Sequence, residues 1–160
     1  MAARKPLQYT LALLKPDICA NPLLPPKIID TIRARELNVI QQKPLLWSQA
    51  DAEAFYGEHR GKFFFERLCG YMTSGPFMAL VLSSPNAIKD WRALIGPTHP
   101  VRARINAPDT LRALYGLTDT RNSFHGSGGS FNSSDSPENA RQEIEFFFKD
   151  FNVDAQHKVN

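Results

Sequence analysis

The side chain in this sequence best suited to covalent chemistry is His125, in the run Asn122-Ser123-Phe124-His125-Gly126-Ser127. An unperturbed imidazole can attack as a nucleophile near neutral pH, without the lowered pKa that Ser, Cys or Lys would need. A glycine directly after it, at the end of a strand, leaves room for substrate. A solitary histidine is more often packed or solvated than reactive, so His125 needs companions. Glu143 is one candidate. It lies three residues after Ala140 and four before Phe147, which turns it toward the apolar side of its helix. A carboxylate there needs a partner, either a histidine ring N–H or an arginine. Lys15, Arg92 and Arg112 supply cations: guanidinium forks match phosphate oxygens bidentately and an ammonium acts as a point charge, although most such residues taken singly are solvated surface charge. Tyr56 and Phe64 are aromatic and could stack on a flat ligand or belong to the core.

Other chemistries lack their signatures. The sequence holds no phosphate-binding loop of the G-x-x-x-x-G-K type, no G-x-G-x-x-G after a strand and no G-x-S-x-G. Cys19 and Cys69 stand too far apart for a zinc spacing. A bound nucleotide would therefore be held by side chains on helices and loops.

These residues need a scaffold of interleaved helices and strands. Leu7, Tyr9, Leu11 and Leu13 alternate with Gln8, Thr10 and Ala12, which predicts a strand ending at Lys15-Pro16. Ile28, Ile29 and Ile32 form a helical stripe after Pro25-Pro26. Val39 to Trp47 reads as a strand broken by Pro44. Ser48 with Asp51 predicts a capped helix carrying Ala52, Phe55, Tyr56 and His59 on one face and interrupted at Gly61, with a second helical piece over 63–73. The unbroken apolar run Phe77 to Leu82 predicts a strand covered on both faces. Asn86 and Gly96 would bound a helix with Ile88, Trp91 and Ile95 inside. Asp109 would cap a short helix, and a short strand should end near His125. Ser136-Pro137-Glu138 starts a last helix that buries Ala140, Ile144, Phe147 and Phe148. The interleaving predicts one α/β or α+β domain over 1–151, followed by a polar tail, 152–160.

Composition bounds the rest. With 160 residues, 42% hydrophobic and 22% charged, the chain is long enough for one real core and too apolar for disorder. No apolar run approaches the roughly 20 residues of a membrane helix. The net charge of +3 is concentrated: Lys89, Arg92, Arg102, Arg104, Arg112 and Arg121 outweigh the acids between them, and acids dominate after Asp135. A central basic stretch suits a polyanionic ligand, though solvated helix faces account for it as well. Two cysteines without a disulfide pattern fit a reducing compartment. Met1 to Pro6 has no apolar core for a secretory signal, and no acid precedes Asp17, which leaves a short mitochondrial signal open. The expected location is intracellular, in cytoplasm or mitochondrion.

Three segments together carry a family likeness. Leu13-Leu14-Lys15-Pro16-Asp17, Tyr71-Met72-Thr73-Ser74-Gly75-Pro76 and Arg121-Asn122-Ser123-Phe124-His125-Gly126-Ser127 resemble, in order, the motifs of nucleoside diphosphate kinases. The stretch between Thr98 and Arg112 resembles the divergent nucleoside diphosphate kinase 6 branch. The resemblance implies an α+β sandwich of ferredoxin-like type, a four-stranded antiparallel sheet covered by helices. It implies ping-pong transfer of the γ-phosphate of ATP or another nucleoside triphosphate to a nucleoside diphosphate, through a phosphohistidine at His125. Lys15, Tyr56, Phe64, Arg92, Thr98, Arg112 and Asn122 match the family's nucleotide contacts, and Glu143 matches the glutamate that orients the histidine. Mg²⁺ would be held mainly by phosphates and water, with no protein metal site.

Two departures bear on those implications. The segment from Thr98 to Arg112 is longer than the family's usual loop, which carries trimer contacts within hexamers, so a monomer or small oligomer is expected. Gly128 to Ser134 is an insertion directly after the histidine motif. Both changes keep a second reading open: a nucleotide-binding module of low activity that works through a protein partner. Membrane and nucleic-acid partners are not expected.

Overall fold

The computed structural model describes residues 7–96, 109–111, 114, 124–126 and 137–151. Its framework is a four-stranded antiparallel sheet built from β1 (Gln8–Leu14), β2 (Asn38–Leu45), β3 (Phe77–Ser84) and β4 (Phe124–Gly126), in the order β2-β3-β1-β4. Helices α1 (Pro16–Cys19) and α2 (Leu24–Ala34) connect β1 to β2. Helices α3 (Gln49–Phe55) and α4 (Phe65–Met72) lie between β2 and β3, α5 (Ala87–Ile95) follows β3, and α6 (Pro137–Phe147) follows β4. This is the ferredoxin-like arrangement that the family resemblance implied.

The strands at the centre are buried on both faces. Along β1, Tyr9, Leu11 and Leu13 enter one cluster while Ala12 and Leu14 enter the other. In β3, Phe77, Ala79 and Val81 face the first cluster, and Leu80 and Leu82 the second. The continuous apolar run therefore means what it should in a doubly covered strand, and the pairing continues to Ser84. The first cluster lies under α3, α4 and α6; the second lies under α1, α2 and α5.

Several local expectations are corrected. Pro44 does not break β2, because β2 is the edge strand: the ladder runs on through Pro44, opposite Met78, and the irregularity is a register shift between Val39 and Gln41 instead. Helix α3 ends at Phe55 and passes into a 3₁₀ turn, Gly57–His59, before Gly61 is reached. Helix α4 begins at Phe65, two residues later than the sequence suggested, leaving Phe63 and Phe64 in the turn before it. Asn86 makes no side-chain cap for α5; Gln8, on β1, takes that role with its Oε1 accepting from the Ile88 N–H at 2.9 Å. Gly96 does end α5, with φ 86, and a Cβ there would run into the Thr110 side chain. The Ser48–Asp51 capping box forms as read: the Ser48 Oγ accepts from the Asp51 N–H at 3.2 Å, and Asp51 Oδ2 accepts from the Ser48 N–H at 3.0 Å. Ser136 and most of the helix expected after Asp109 lie outside the described residues, as does the tail 152–160.

Helix α6 buries Ala140, Ile144 and Phe147 at helical spacing against β1, followed by Phe148 and Phe151. Its last turn is tied to the edge strand, where Lys43 Nζ donates to the Phe147 carbonyl at 3.0 Å. The same ammonium lies 5.8 Å from the centre of the Phe148 ring.

Candidate functional site

Two of the chemistry-bearing residues, Lys15 and His125, lie at the C-terminal end of β1 and on the strand paired with it. Strand β4 pairs with β1 in the register Leu14↔Phe124, Leu13↔His125, Ala12↔Gly126. His125 thus holds the register position opposite Leu13, a residue of the cluster shared by Trp47, Tyr56 and Ile144. Two residues past Leu13, where the strand gives way to α1, stands Lys15. Its carbonyl accepts the first turns of that helix from Ile18 and Cys19 at 3.0 and 3.2 Å. Lys15 is only 5% exposed. An ammonium so deeply placed needs polar or anionic company, because burying a bare charge is expensive.

Tyr56 closes the site from the α3 side. The residue is 5% exposed, and among the described residues its hydroxyl has no hydrogen-bond partner. Burial pushes the phenol pKa far above its ordinary value, and the Glu143 carboxylate raises it further. Tyr56 therefore remains a proton-bearing donor at any physiological pH. The electrostatic link to Glu143 also shows that α3 and α6 bring these two groups to the same part of the cluster. Glu143 is half-buried on α6, consistent with the inward turn read from its spacing.

The floor beneath Tyr56 is aromatic. Trp47 meets Tyr56 edge-on, with ring centres 6.5 Å apart, and stacks nearly flat on Phe147 at 5.2 Å. Trp47 was visible in the sequence only as the end of a strand, and nothing in its local pattern marked it as the support of a site residue. From Tyr56 a chain of rings runs outward: Tyr56 to His59 at 6.3 Å, then His59 to Phe64 at 5.3 Å. Phe64 is half-buried in the turn that opens α4.

The remaining candidates lie elsewhere. Arg92 is exposed on α5, the helix that covers the opposite face and packs on β1 and β4. The structure thus brings Tyr56 and Glu143 together, links Phe64 to Tyr56 through His59, sets His125 opposite Leu13 with Lys15 two residues further along the chain, and places Arg92 on the neighbouring layer. Thr98, Arg112, Asn122 and the insertion from Gly128 to Ser134 lie outside the described residues. Among the described residues no helix is long and apolar enough to cross a membrane, and Cys19 and Cys69 are free thiols.

Known proteins match this arrangement along nearly the whole chain. The sequence pattern of the family described as nucleoside diphosphate kinase matches residues 8–153. Nucleoside diphosphate kinase 6 of Danio rerio is 47% identical over 157 residues, covering 96% of this chain and 83% of that one. The Homo sapiens protein of the same name is 46% identical over 145 residues, covering 91% and 74%. Among solved structures, the Aquifex aeolicus nucleoside diphosphate kinase superposes with a TM-score of 0.80 at 37% identity, covering 89% of this chain and 95% of that one. A halophilic nucleoside diphosphate kinase from Halobacterium salinarum in complex with CDP gives 0.76 at 28% identity, covering 96% and 98%. Sheet order, motif positions and these likenesses agree: the chain belongs to the nucleoside diphosphate kinase family, is similar to its nucleoside diphosphate kinase 6 members, and is a nucleotide-binding nucleoside-diphosphate kinase.

Proposed function

We propose that the chain works by a ping-pong route through His125. A ring nitrogen attacks the γ-phosphorus of a nucleoside triphosphate, the bond to the β-phosphate oxygen breaks, and the nucleoside diphosphate leaves. A terminal phosphate oxygen of a second nucleoside diphosphate then attacks the phosphohistidine and the P–N bond breaks. Glu143 accepts the other ring N–H, which leaves the attacking nitrogen unprotonated and stabilises the cationic ring. Tyr56 donates its hydroxyl toward the histidine and the moving phosphoryl group. Arg92, Arg112 and Thr98 hold phosphate oxygens, Lys15 and Asn122 contact ribose hydroxyls, and Phe64 stacks on the base, which makes the site tolerant of base identity.

Mg²⁺ fits this donor set as an ion carried by the nucleotide. Arg92 on α5 suits phosphate oxygens, and the buried Lys15 adds an ammonium, which is a donor group and not a metal ligand. Bound to the phosphates, the ion would neutralise their charge during transfer.

The observation that supports this reading most is the Leu13↔His125 pairing: His125 has the register position opposite a residue of the cluster that holds Tyr56 and Ile144. Brief incubation with γ-labelled ATP should label the protein with a phosphate that is acid-labile and alkali-stable. No label, or one lost in alkali, overturns it. The binding-module alternative rests on the segments 98–112 and 128–134, nearly all outside the described residues. Catalytic turnover of label onto added GDP, rather than a single labelling event, separates the enzyme from it. On the longer 98–112 segment we also infer a monomer or small oligomer, which light scattering at micromolar protein would contradict by showing six chains. The free thiols fit a reducing cytoplasmic or mitochondrial compartment.

A further inference from the structure

Phe63 is 86% exposed, the highest exposure among the large apolar side chains described. Its neighbour in sequence, Phe65, is buried with Cys69 and Met72 along the inner stripe of α4. Phe63 stands outside that stripe, so core packing does not explain it. Its ring does have a defined contact: it meets Phe64 at 5.4 Å between centres with planes 88° apart. Phe63 is thereby the outer end of the ring chain Tyr56–His59–Phe64–Phe63, which begins in the buried site and ends in solvent. Arg60 and Lys62 are exposed in the same turn, with Glu58 and Glu66 as the nearby acids.

We propose that Phe63 is a second base-contacting ring, and that it sets a preference for purine over pyrimidine nucleotides. The inference rests on the reading above in which Phe64 stacks on the base. Two rings at right angles form a corner: one wall offers its face, the other its edge or face at the rim. A base lying on Phe64 uses the first wall. A pyrimidine ends there, whereas the fused second ring of a purine extends far enough to meet the wall made by Phe63. The occupant is a nucleoside phosphate, since the ring chain continues inward to Tyr56, the residue that the proposed function sets beside the moving phosphoryl group. Exposed aromatic surface is used in this way wherever bases are read by stacking.

Equilibrium binding of GDP, ADP, CDP and UDP to the wild type, Phe63→Ala, Phe63→Tyr and Phe64→Ala tests it. Phe63→Ala should raise the Kd of GDP and ADP by about threefold to tenfold and that of CDP and UDP by less than about twofold, an edge-contact magnitude. Phe63→Tyr, which keeps the ring, should restore the purine values. Phe64→Ala should weaken all four. A Phe63→Ala protein whose purine and pyrimidine affinities shift equally, or not at all, overturns the proposal. If Phe64→Ala still weakens every nucleotide in that case, the stacking role of Phe64 survives and only the role of Phe63 is lost. If Phe64→Ala changes nothing, the stacking reading itself has failed.

Discussion

The two faces of the sheet are packed from different materials. The face under α1, α2 and α5 is aliphatic, built on Leu14, Ile18, Ile28, Ile32, Leu80, Leu82 and Ile95, with Trp91 as its large ring. The face under α3, α4 and α6 is aromatic, with Tyr9, Trp47, Tyr56, Phe65, Phe77, Phe147, Phe148 and Phe151 in its cluster. Branched aliphatic chains interdigitate without polar atoms, so the packed interior of that face stabilises and holds no reactive group. Flat rings meet edge-on and can end in a hydroxyl, which lets the other face hold the Tyr56 O–H beside the Glu143 carboxylate inside the fold. In their buried interiors the two faces thereby separate stability from chemistry, with Arg92 on the outer surface of α5. Variants on each face should break different properties.

The largest effect is expected at His125. His125→Ala should reduce phosphoryl transfer by about three orders of magnitude or more, while GDP affinity stays close to that of the wild type. Losing the covalent intermediate removes the pathway and leaves the binding contacts. An acid-labile phosphoenzyme still forming in the alanine protein would move the nucleophile elsewhere.

On the aliphatic face the loss should be of folding instead. Ile32 is fully buried on α2. Ile32→Ala should cost about 2–5 kcal/mol in denaturant unfolding, through lost transfer energy and the cavity left behind. Transfer per folded molecule, measured at low temperature, should stay within about threefold. A large loss of turnover in protein that remains folded would show that the two faces are not separable. Glu143→Gln, on the aromatic face, is the complementary case. Nucleotide binding should hold, and the phosphorylation step seen in stopped flow should slow at least about tenfold, or about 1.4 kcal/mol of barrier. An unchanged rate would leave the orienting role without support.

What could be read beforehand follows the same division. Strand β3 and the inward residues of α6 were legible, because burial on two faces, or on one helical stripe, writes itself as local periodicity. The capping box at Ser48 was legible because its partners are three residues apart. The Gln8 cap on Ile88 was not, since the two are joined only by the fold. Pro44 was misread for a related reason: whether a proline breaks a strand depends on whether that strand is an edge, and edge position belongs to the whole sheet. At the site, Glu143 could be placed by helical spacing. The depth of Lys15 and the burial of the Tyr56 hydroxyl depend on neighbours brought in from distant parts of the chain. The three consecutive rings Phe63, Phe64 and Phe65 look alike as letters. Only the stripe continued by Cys69 and Met72 marks Phe65 as the inner one.

The smallest effect concerns the seam between the faces. Cys19 packs partly into the aliphatic cluster, four residues beyond Lys15, and its thiol donates to the Leu14 carbonyl at 3.2 Å. Burial first, then the Asp17 carboxylate, raises its pKa to about 11, against an ordinary value of 9.0. The fold thus favours the protonated thiol. The sign follows from proton linkage: between those two values the unfolded chain releases the proton while the native chain keeps it, so unfolding becomes more favourable as pH rises. The contribution is complete below about pH 9 and is lost progressively toward pH 11. Alkylation by iodoacetamide, which consumes the thiolate, should therefore be slow in the native protein at pH 8 and climb with a midpoint near 11, whereas the unfolded chain should show a midpoint near 9. Cys69→Ser removes the other thiol from the measurement. A native midpoint near 9 would mean that α1 admits water to the end of β1, and the aliphatic layer would then not be sealed from the site that Lys15 adjoins.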